Sequence, residues 1–170
     1  MTESTNGNRE PGAPLPGGAP EGAAQQLIVN AQYIKDLSFE NPRAPHSLTQ
    51  QNAAPAVEIN VDVNAQNLNP ETYEVVLTIK ASAKIGGEAL FLVELAYGAV
   101  VTVRNLPRDA LPMVLLVETP RLMFPFARNI LADATRDGGY PPLMINPIDF
   151  TELLRRQQTP PPAEPTSATV

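Results

Sequence analysis

The sequence contains no cysteine and no tryptophan, and its single histidine is His46. Without cysteine, the chain can form no disulfide, no thiolate nucleophile and no zinc–thiolate site. The histidine lies in a proline-flanked segment, PHSLTQ, and we interpret it as a loop residue rather than as part of a catalytic triad. The IGGEA segment lacks the spacing and the Lys-Ser/Thr pair of a phosphate-binding loop, so we expect no cofactor.

Basic runs and long apolar runs are also missing. The formal net charge is −6, which argues against binding of nucleic acid or of an anionic membrane surface. The longest apolar stretches, such as LPMVLLVETP, are too short and too interrupted by proline to cross a bilayer. The N-terminal segment has no basic region followed by an apolar one, so we expect no secretory signal and a cytoplasmic location.

The two ends differ in composition from the middle of the chain. Residues 1–25 and 159–170 consist almost entirely of glycine, proline, alanine and polar residues, which bury too little apolar surface to offset the entropy of ordering. We therefore predict two disordered tails that flank one folded domain at residues 26–158. That length is sufficient for a single hydrophobic core.

Alternation of apolar and polar residues predicts four strands. In YIKDLSFE it places Tyr33 and Phe39 on an apolar face and Asp36 and Glu40 on a polar face. At the rise of a strand, these two acids lie about 13 Å apart, which is too far for a coupled catalytic pair. Further strands are predicted for AVEINVDVN, TYEVVLTIKASAK and EALFLVELAYGAVVTV, with two glycines forming a tight hairpin between the last two.

After Asn105 the pattern becomes helical. Helices are predicted within residues 107–136, interrupted by prolines, and in NPIDFTELLRRQQ, where Asn146 is the predicted N-cap and Pro147 the first helical residue. Strands followed by helices indicate an α+β fold. We therefore predict a four-stranded antiparallel sheet with helices packed on one face.

Two features of this pattern allow more than one interpretation. The apolar residues are numerous enough either to fill a monomer core or to leave a surplus for self-association or a binding groove. Glu94 is the only charge between Ala89 and Val103. It is either an exposed acid near a sheet edge or an acid beside an apolar contact for a basic partner. A carboxylate-based enzyme is the least favoured function.

Five segments together resemble SecB, the cytoplasmic export chaperone family of Gram-negative bacteria: YIKDLSFENPRAPH, YEVVLTI, FLVEL, FPFARNIL and RDGGYPPLMINPIDFTELL. The resemblance extends over residues 29–154. It implies an ATP-independent chaperone, without catalytic activity or cofactor, that holds unfolded precursor proteins in apolar grooves and delivers them to the motor ATPase SecA. It also implies a homotetramer assembled as a dimer of dimers. Some relatives carry cysteines and a tryptophan that this chain lacks.

The resemblance also implies site residues. By match to the family, SecA would dock through a small, basic zinc-binding tail onto Asp36, Glu40, Leu92 and Glu94. The client groove of the family is lined by aromatic and aliphatic side chains. The candidates here are Tyr33, Phe39, Val57, Ile59, Val61 and Phe91. The alternative function is a SecB-like holdase or adaptor that serves other clients without docking SecA.

Overall fold

The computed structural model of the protein describes residues 24–49 and 54–158, and within these ranges four long strands form one antiparallel sheet. The strands are β1 (Gln26–Glu40), β2 (Ala56–Asn69), β3 (Thr72–Ile85) and β4 (Glu88–Arg104), and they are ordered β1-β4-β3-β2 across the sheet. The nearly uncharged fourth strand is central, since it pairs with both β1 and β3. The tails predicted at 1–25 and 159–170 lie, apart from residues 24 and 25, outside the described residues.

Helices pack on one face of the sheet, which confirms the predicted α+β fold. A short helix, α1 (His46–Thr49), lies between β1 and β2. After β4, α2 (Leu111–Met113), a π-helical turn (Val114–Glu118) and α3 (Thr119–Asp137) follow one another directly. The predicted proline interruptions are wrong, because the helical stretch continues through Pro120 and Pro125. Pro112 lies in the first turn of α2, where a missing N–H costs no hydrogen bond. None of the helices in the described ranges is long and apolar enough to cross a membrane.

The last helix, α4 (Phe150–Gln158), begins later than the sequence predicts. The Asp149 carboxylate accepts hydrogen bonds from the backbone N–H groups of Thr151 (2.9 Å) and Glu152 (3.1 Å), so Asp149 is the N-cap and the prediction of Asn146 is wrong. These hydrogen bonds, with that from Glu152 contributing most, hold the pKa of Asp149 below its ordinary value.

Alternation along β3 and β4 separates an inner face, which contacts the helices, from an outer face. Each large apolar side chain that is fully buried on the inner face contributes about 1.5–3 kcal/mol to stability. The fully buried strand residues are Val75, Leu77, Ile79, Val93, Leu95 and Val101. From the helices, Met123, Leu131 and Phe150 complete this core.

Two bulges in β1 change which of its residues face the core. The pairing of β1 with β4 skips Asn30 and Lys35. Each bulge reverses the alternation, because the side chains of a strand repeat with a period of two. Tyr33 lies between the bulges and pairs with Gly98 on the outer face. The prediction that Tyr33 shares the apolar face of Phe39 is therefore wrong.

The hairpin between β3 and β4 has the predicted glycine turn. Gly86 and Gly87 have φ angles of 59° and 86°, in the left-handed region that glycine adopts without strain. A shift in pairing just after the turn leaves Leu90 unpaired and buried in the core beside Phe91. Leu90 therefore does not share the face of Glu94, contrary to the simple alternation of the sequence.

Gly98 provides space for the ring of Tyr33. A Cβ atom at this position would lie 2.6 Å from Cζ of Tyr33. A glycine inside a strand often marks a bulge, but β4 keeps regular pairing with Val76 of β3 at Gly98. The glycine instead permits close approach of an aromatic ring to the β4 backbone.

We expect Gly98→Ala to lower the free energy of unfolding by about 1–3 kcal/mol, because the added methyl group overlaps the Tyr33 ring and forces it to move. Urea unfolding at equal protein concentration measures this effect. In a Tyr33→Ala background the ring is absent, and the same glycine substitution should then cost nothing. An equal cost in both backgrounds would contradict this explanation of the glycine.

Candidate functional site

The outer face of the sheet brings together the four predicted docking residues. Glu40 pairs with Leu92 across β1 and β4, and the next pair on the same face is Ser38 with Glu94. Asp36 lies further along β1. Cross-strand partners point to the same face of a sheet. Asp36, Glu40, Leu92 and Glu94 therefore form one continuous surface, which we call the acidic patch.

Two lysines of β3 reduce the negative charge of the outer face, one of them within the acidic patch. Lys80 Nζ lies 2.7 Å from Oε1 of Glu94, and Lys84 Nζ lies 3.0 Å from Oε2 of Glu58 on β2. Within the described residues, the two acids of β1 have no basic partner. Exposed ion pairs contribute only about 0–1 kcal/mol each. The patch thus keeps a negative field, though a weaker one than the sequence predicts.

A buried carboxylate lies on the same outer face. Glu74 is only 6% exposed, and it accepts hydrogen bonds from the Tyr33 hydroxyl, from Gln66 Nε2 and from Lys35 Nζ at 2.8 and 2.9 Å. We call these four residues the Glu74 cluster. Lys35 is the bulged residue directly before Asp36, so the cluster holds β1 at the point where the acidic patch begins.

The cluster favours a charged Glu74. The hydrogen bond from Lys35, followed by that from Tyr33, lowers the pKa of Glu74 below its ordinary value. The hydrogen bond to the same carboxylate is the main reason that the pKa of Tyr33 rises to about 12. At neutral pH the hydroxyl is therefore a donor and the carboxylate an ionised acceptor, which makes these hydrogen bonds stronger than neutral ones.

An apolar cavity of about 250 Å³ opens on the inner side of the sheet, where β2 begins. We call it the aromatic cavity. Its lining consists of Pro55, Val57, Ile85, Leu90, Phe91 and residues 140–144. The Phe91 ring stacks on Phe39 at 5.8 Å between centroids and contacts Tyr140 at 5.0 Å. Gly138 permits this arrangement, because a Cβ atom there would collide with the Phe39 ring.

A second cavity, of about 370 Å³, lies between β2 and α4, and we call it the aliphatic cavity. Its apolar lining consists of Ile59, Val61, Ile148 and Leu153, and its polar lining includes Asp149, Glu152 and Arg156. Both cavities follow the edge strand β2, on which Val57 is 41% and Ile59 39% exposed. The apolar side chains of the two cavities thus form an apolar path along one edge of the sheet, bordered by polar side chains in the aliphatic cavity.

Of the predicted groove residues, the two cavities contain all except Phe39 and Tyr33. Phe39 supports the aromatic cavity from behind, through its stacking on Phe91. Tyr33 lies on the outer face, in the Glu74 cluster. The bulges of β1 thus separate two aromatic residues that the sequence assigns to one groove.

Sequence reasoning missed residues 140–144, which form a wall of the aromatic cavity. The signal was present in GGYPPLM, where aromatic and apolar side chains surround two prolines in a segment that can be neither helix nor central strand. It also missed the contribution of Glu58 to the negative charge of the outer face, although the alternation of β2 places that residue on the polar face.

Comparisons of the sequence with known proteins agree with one another. A family model described as "Preprotein translocase subunit SecB" matches residues 20–160. The protein-export protein SecB of Rhodopseudomonas palustris is 51% identical over 152 residues, which is 89% of this chain and 92% of that protein. The protein of the same name from Paramagnetospirillum magneticum is 58% identical over 131 residues, 76% of this chain and 84% of that protein.

Among solved structures, the fold is similar to that of a SecB-like chaperone from Mycobacterium tuberculosis, solved in complex with a peptide from an antitoxin. The TM-score is 0.61 at 12% sequence identity, and the match covers 72% of this chain and 90% of that one. At this identity the similarity concerns the fold alone.

We expect Glu74→Gln to lower the free energy of unfolding at pH 7 by about 1–3 kcal/mol, because the buried carboxylate loses charge-assisted hydrogen bonds. Since the folded-state pKa of Glu74 is lowered, its contribution is present above the ordinary value of 4.5 and is lost as the pH falls through the folded-state value. The difference between variant and wild type in urea unfolding should therefore shrink in acid.

The matched control is Glu71→Gln, which makes the same chemical change at an exposed position. It should alter the free energy of unfolding little at either pH. A cost of Glu74→Gln that stays constant from neutral to acidic pH would show that the charge of Glu74 contributes nothing to folding.

Proposed function

The chain belongs to the SecB family of protein-export chaperones, and we propose that it holds unfolded precursor proteins in the two cavities along β2 and delivers them to SecA. The observation that carries this proposal is the apolar path formed by the aromatic and aliphatic cavities on an exposed edge strand. We further propose that holding requires no ATP and takes place in the cytoplasm.

The path suits a client without a fixed sequence. Apolar client side chains would be buried in the cavities, with a gain of about 25 cal/mol for each Å² of apolar surface removed from water. β2 is an edge strand, so its outer backbone groups can pair with an extended client chain. Both interactions depend on the general properties of an unfolded polypeptide, which supports the holding of many different precursors.

The acidic patch suits a basic partner, and we propose that it receives the basic zinc-binding tail of SecA. Leu92 supplies an apolar contact among the acids and is 39% exposed. Charges at the rim of an interface mainly accelerate and orient association, while the apolar centre contributes affinity. The patch and the cavities lie on opposite faces of the sheet, so client and SecA can bind at the same time.

The proposal includes assembly into a homotetramer, a dimer of dimers. Large apolar side chains remain exposed outside the cavities, among them Ile34 and Leu37 on β1 and Leu122 and Phe126 on α3, the last at 54%. Exposed apolar residues on two neighbouring elements favour self-association. Light scattering at micromolar concentration tests this directly, and a monomeric mass would contradict it.

One observation favours the alternative function, a SecB-like holdase or adaptor that does not dock SecA. Lys80 forms an ion pair with Glu94 at 2.7 Å, and this pairing competes with any basic partner for the same carboxylate. A partner that binds the patch has to replace this lysine or tolerate it. The two functions share the client path and differ only at the outer face.

Two variants separate holding from delivery. We expect Asp36→Ala/Glu94→Ala to weaken SecA binding by about 3- to 30-fold, as the loss of two rim charges, while suppression of aggregation of an unfolded protein stays intact. We expect Val57→Asp to weaken the suppression of aggregation and to leave SecA binding intact, because it places a charge in the aromatic cavity. Calorimetry with SecA and light scattering of the aggregating protein measure the two properties.

The control for charge is Glu71→Ala/Asp109→Ala, which removes two acids at the other end of the sheet and should leave SecA binding unchanged. Unchanged SecA binding by the patch variant would favour the adaptor function. If the wild-type protein fails to suppress aggregation, the holdase proposal itself is wrong.

A further inference from the structure

One wall of the aromatic cavity has no regular secondary structure. Residues 140–144 follow α3, and none of them belongs to a strand or a helix. Pro141 and Pro142 have no N–H group, and the side chain of Met144 is largely exposed. The position of this wall relative to Phe91 therefore depends on packing of Tyr140 and Leu143 against the core and on two hydrogen-bonding tethers.

The first tether is the buried hydroxyl of Thr135, near the end of α3. Its Oγ1 accepts a hydrogen bond from the N–H of Leu143 at 2.9 Å. The same hydroxyl can donate to the carbonyl oxygen of Leu131 or of Ala132, each of which lies 3.0 Å away. The backbone carbonyl of Thr135 also accepts the N–H of Tyr140 at 3.1 Å. One fully buried threonine thus holds the wall at two points.

The second tether is the hydroxyl of Tyr140, whose ring contacts Phe91. It lies 2.8 Å from Asn41 Oδ1, 2.8 Å from Ser47 Oγ and 3.1 Å from the carbonyl of Leu90. The hydroxyl can accept from Ser47 and donate to one of the other two oxygens. It thereby connects the wall to the segment after β1 and to β4.

These hydroxyls are buried, so their hydrogen bonds restrict the position of the cavity wall. A hydrogen bond requires a narrow range of distance and angle, whereas contacts between apolar side chains tolerate sliding. If a partner is removed, the remaining polar group stays unsatisfied away from water, and the segment gains by moving outward. Packing of Tyr140 and Leu143 holds the segment against the core, and the hydrogen bonds restrict its position relative to Phe91.

We propose that Thr135 and Tyr140 are positioning residues that set the width of the aromatic cavity and, with it, the preference for an aromatic client side chain over a smaller apolar one. This inference rests on the proposed client-holding function. An apolar cavity of about 150 Å³ is enough to bind benzene. The aromatic cavity, at about 250 Å³, is large enough for a phenyl ring, and a wall displaced outward reduces the contacts that favour the ring.

The test is Thr135→Val, which keeps the shape of the side chain and removes the hydroxyl. The matched control is Thr119→Val. Thr119 is also fully buried, and its hydroxyl donates to the carbonyl of Val114 at 2.8 Å within the helical stretch, with no bond to the wall. The probes are two fluorescein-labelled unstructured peptides, identical except that the apolar positions are phenylalanine in one and valine in the other.

We expect the wild type and Thr119→Val to bind the phenylalanine peptide more tightly than the valine peptide. In Thr135→Val and in Tyr140→Phe, affinity for the phenylalanine peptide should fall by about 3- to 10-fold, with a smaller change for the valine peptide. Hydrogen–deuterium exchange at the Leu143 amide should accelerate in Thr135→Val, since that N–H loses its acceptor.

Each result has a defined meaning. If the wild type binds neither peptide, the client-holding function itself is wrong. If the wild type binds both and Thr135→Val keeps the wild-type ratio of affinities, the positioning role is wrong and the holding function stands. If Thr135→Val does not fold, the same ratio of affinities measured in Tyr140→Phe decides. The effects of Ser47→Ala and Tyr140→Phe should not be additive, since the two hydroxyls share a hydrogen bond. Additive effects would overturn the role of the Tyr140 hydroxyl.

Discussion

Both surfaces of the protein depend on the double pairing of β4. This strand pairs with β1 through residues 92–104 and with β3 through residues 88–102, so strands on both sides fix its position along most of its length. Successive side chains of a strand point to opposite faces. Phe91 therefore forms part of the aromatic cavity, while the next residue, Leu92, belongs to the acidic patch. A change in the register of β4 would disturb both surfaces at once.

The two surfaces also differ in the strength of interaction that they provide. In the proposed function, the cavities would remove apolar client surface from water, and the gain would increase with the length of client that they cover. The acidic patch offers exposed charges, each worth at most about 1 kcal/mol, and Lys80 already occupies one of them. In the proposed function, client holding would be strong, and docking would be weak and rapidly reversible. The two surfaces proposed for them are separated by the thickness of one sheet.

Much of the fold could be predicted from local patterns. The alternation of β2 and β3, the glycine hairpin and the end of α3 near Gly138 all reflect preferences that a few neighbouring residues express by themselves. The N-cap of α4 was placed wrongly because Asn146 and Asp149 are both good capping residues. Which of them starts the helix depends on where the chain leaves the cavity wall, and that is a property of the packed structure.

By itself, the sequence determined the fold class, the outward position of Asp36 and Glu40 and, through its motifs, the resemblance to SecB. Only the tertiary structure decided that Tyr33 faces outward, that Lys80 of β3 pairs with Glu94 of the patch and that residues 140–144 complete the aromatic cavity. The physical reason is that bulges and cavity walls arise from pairing between distant segments. A bulge leaves no mark in the alternation of apolar and polar residues along its own strand. It appears only when pairing with a partner strand sets the register.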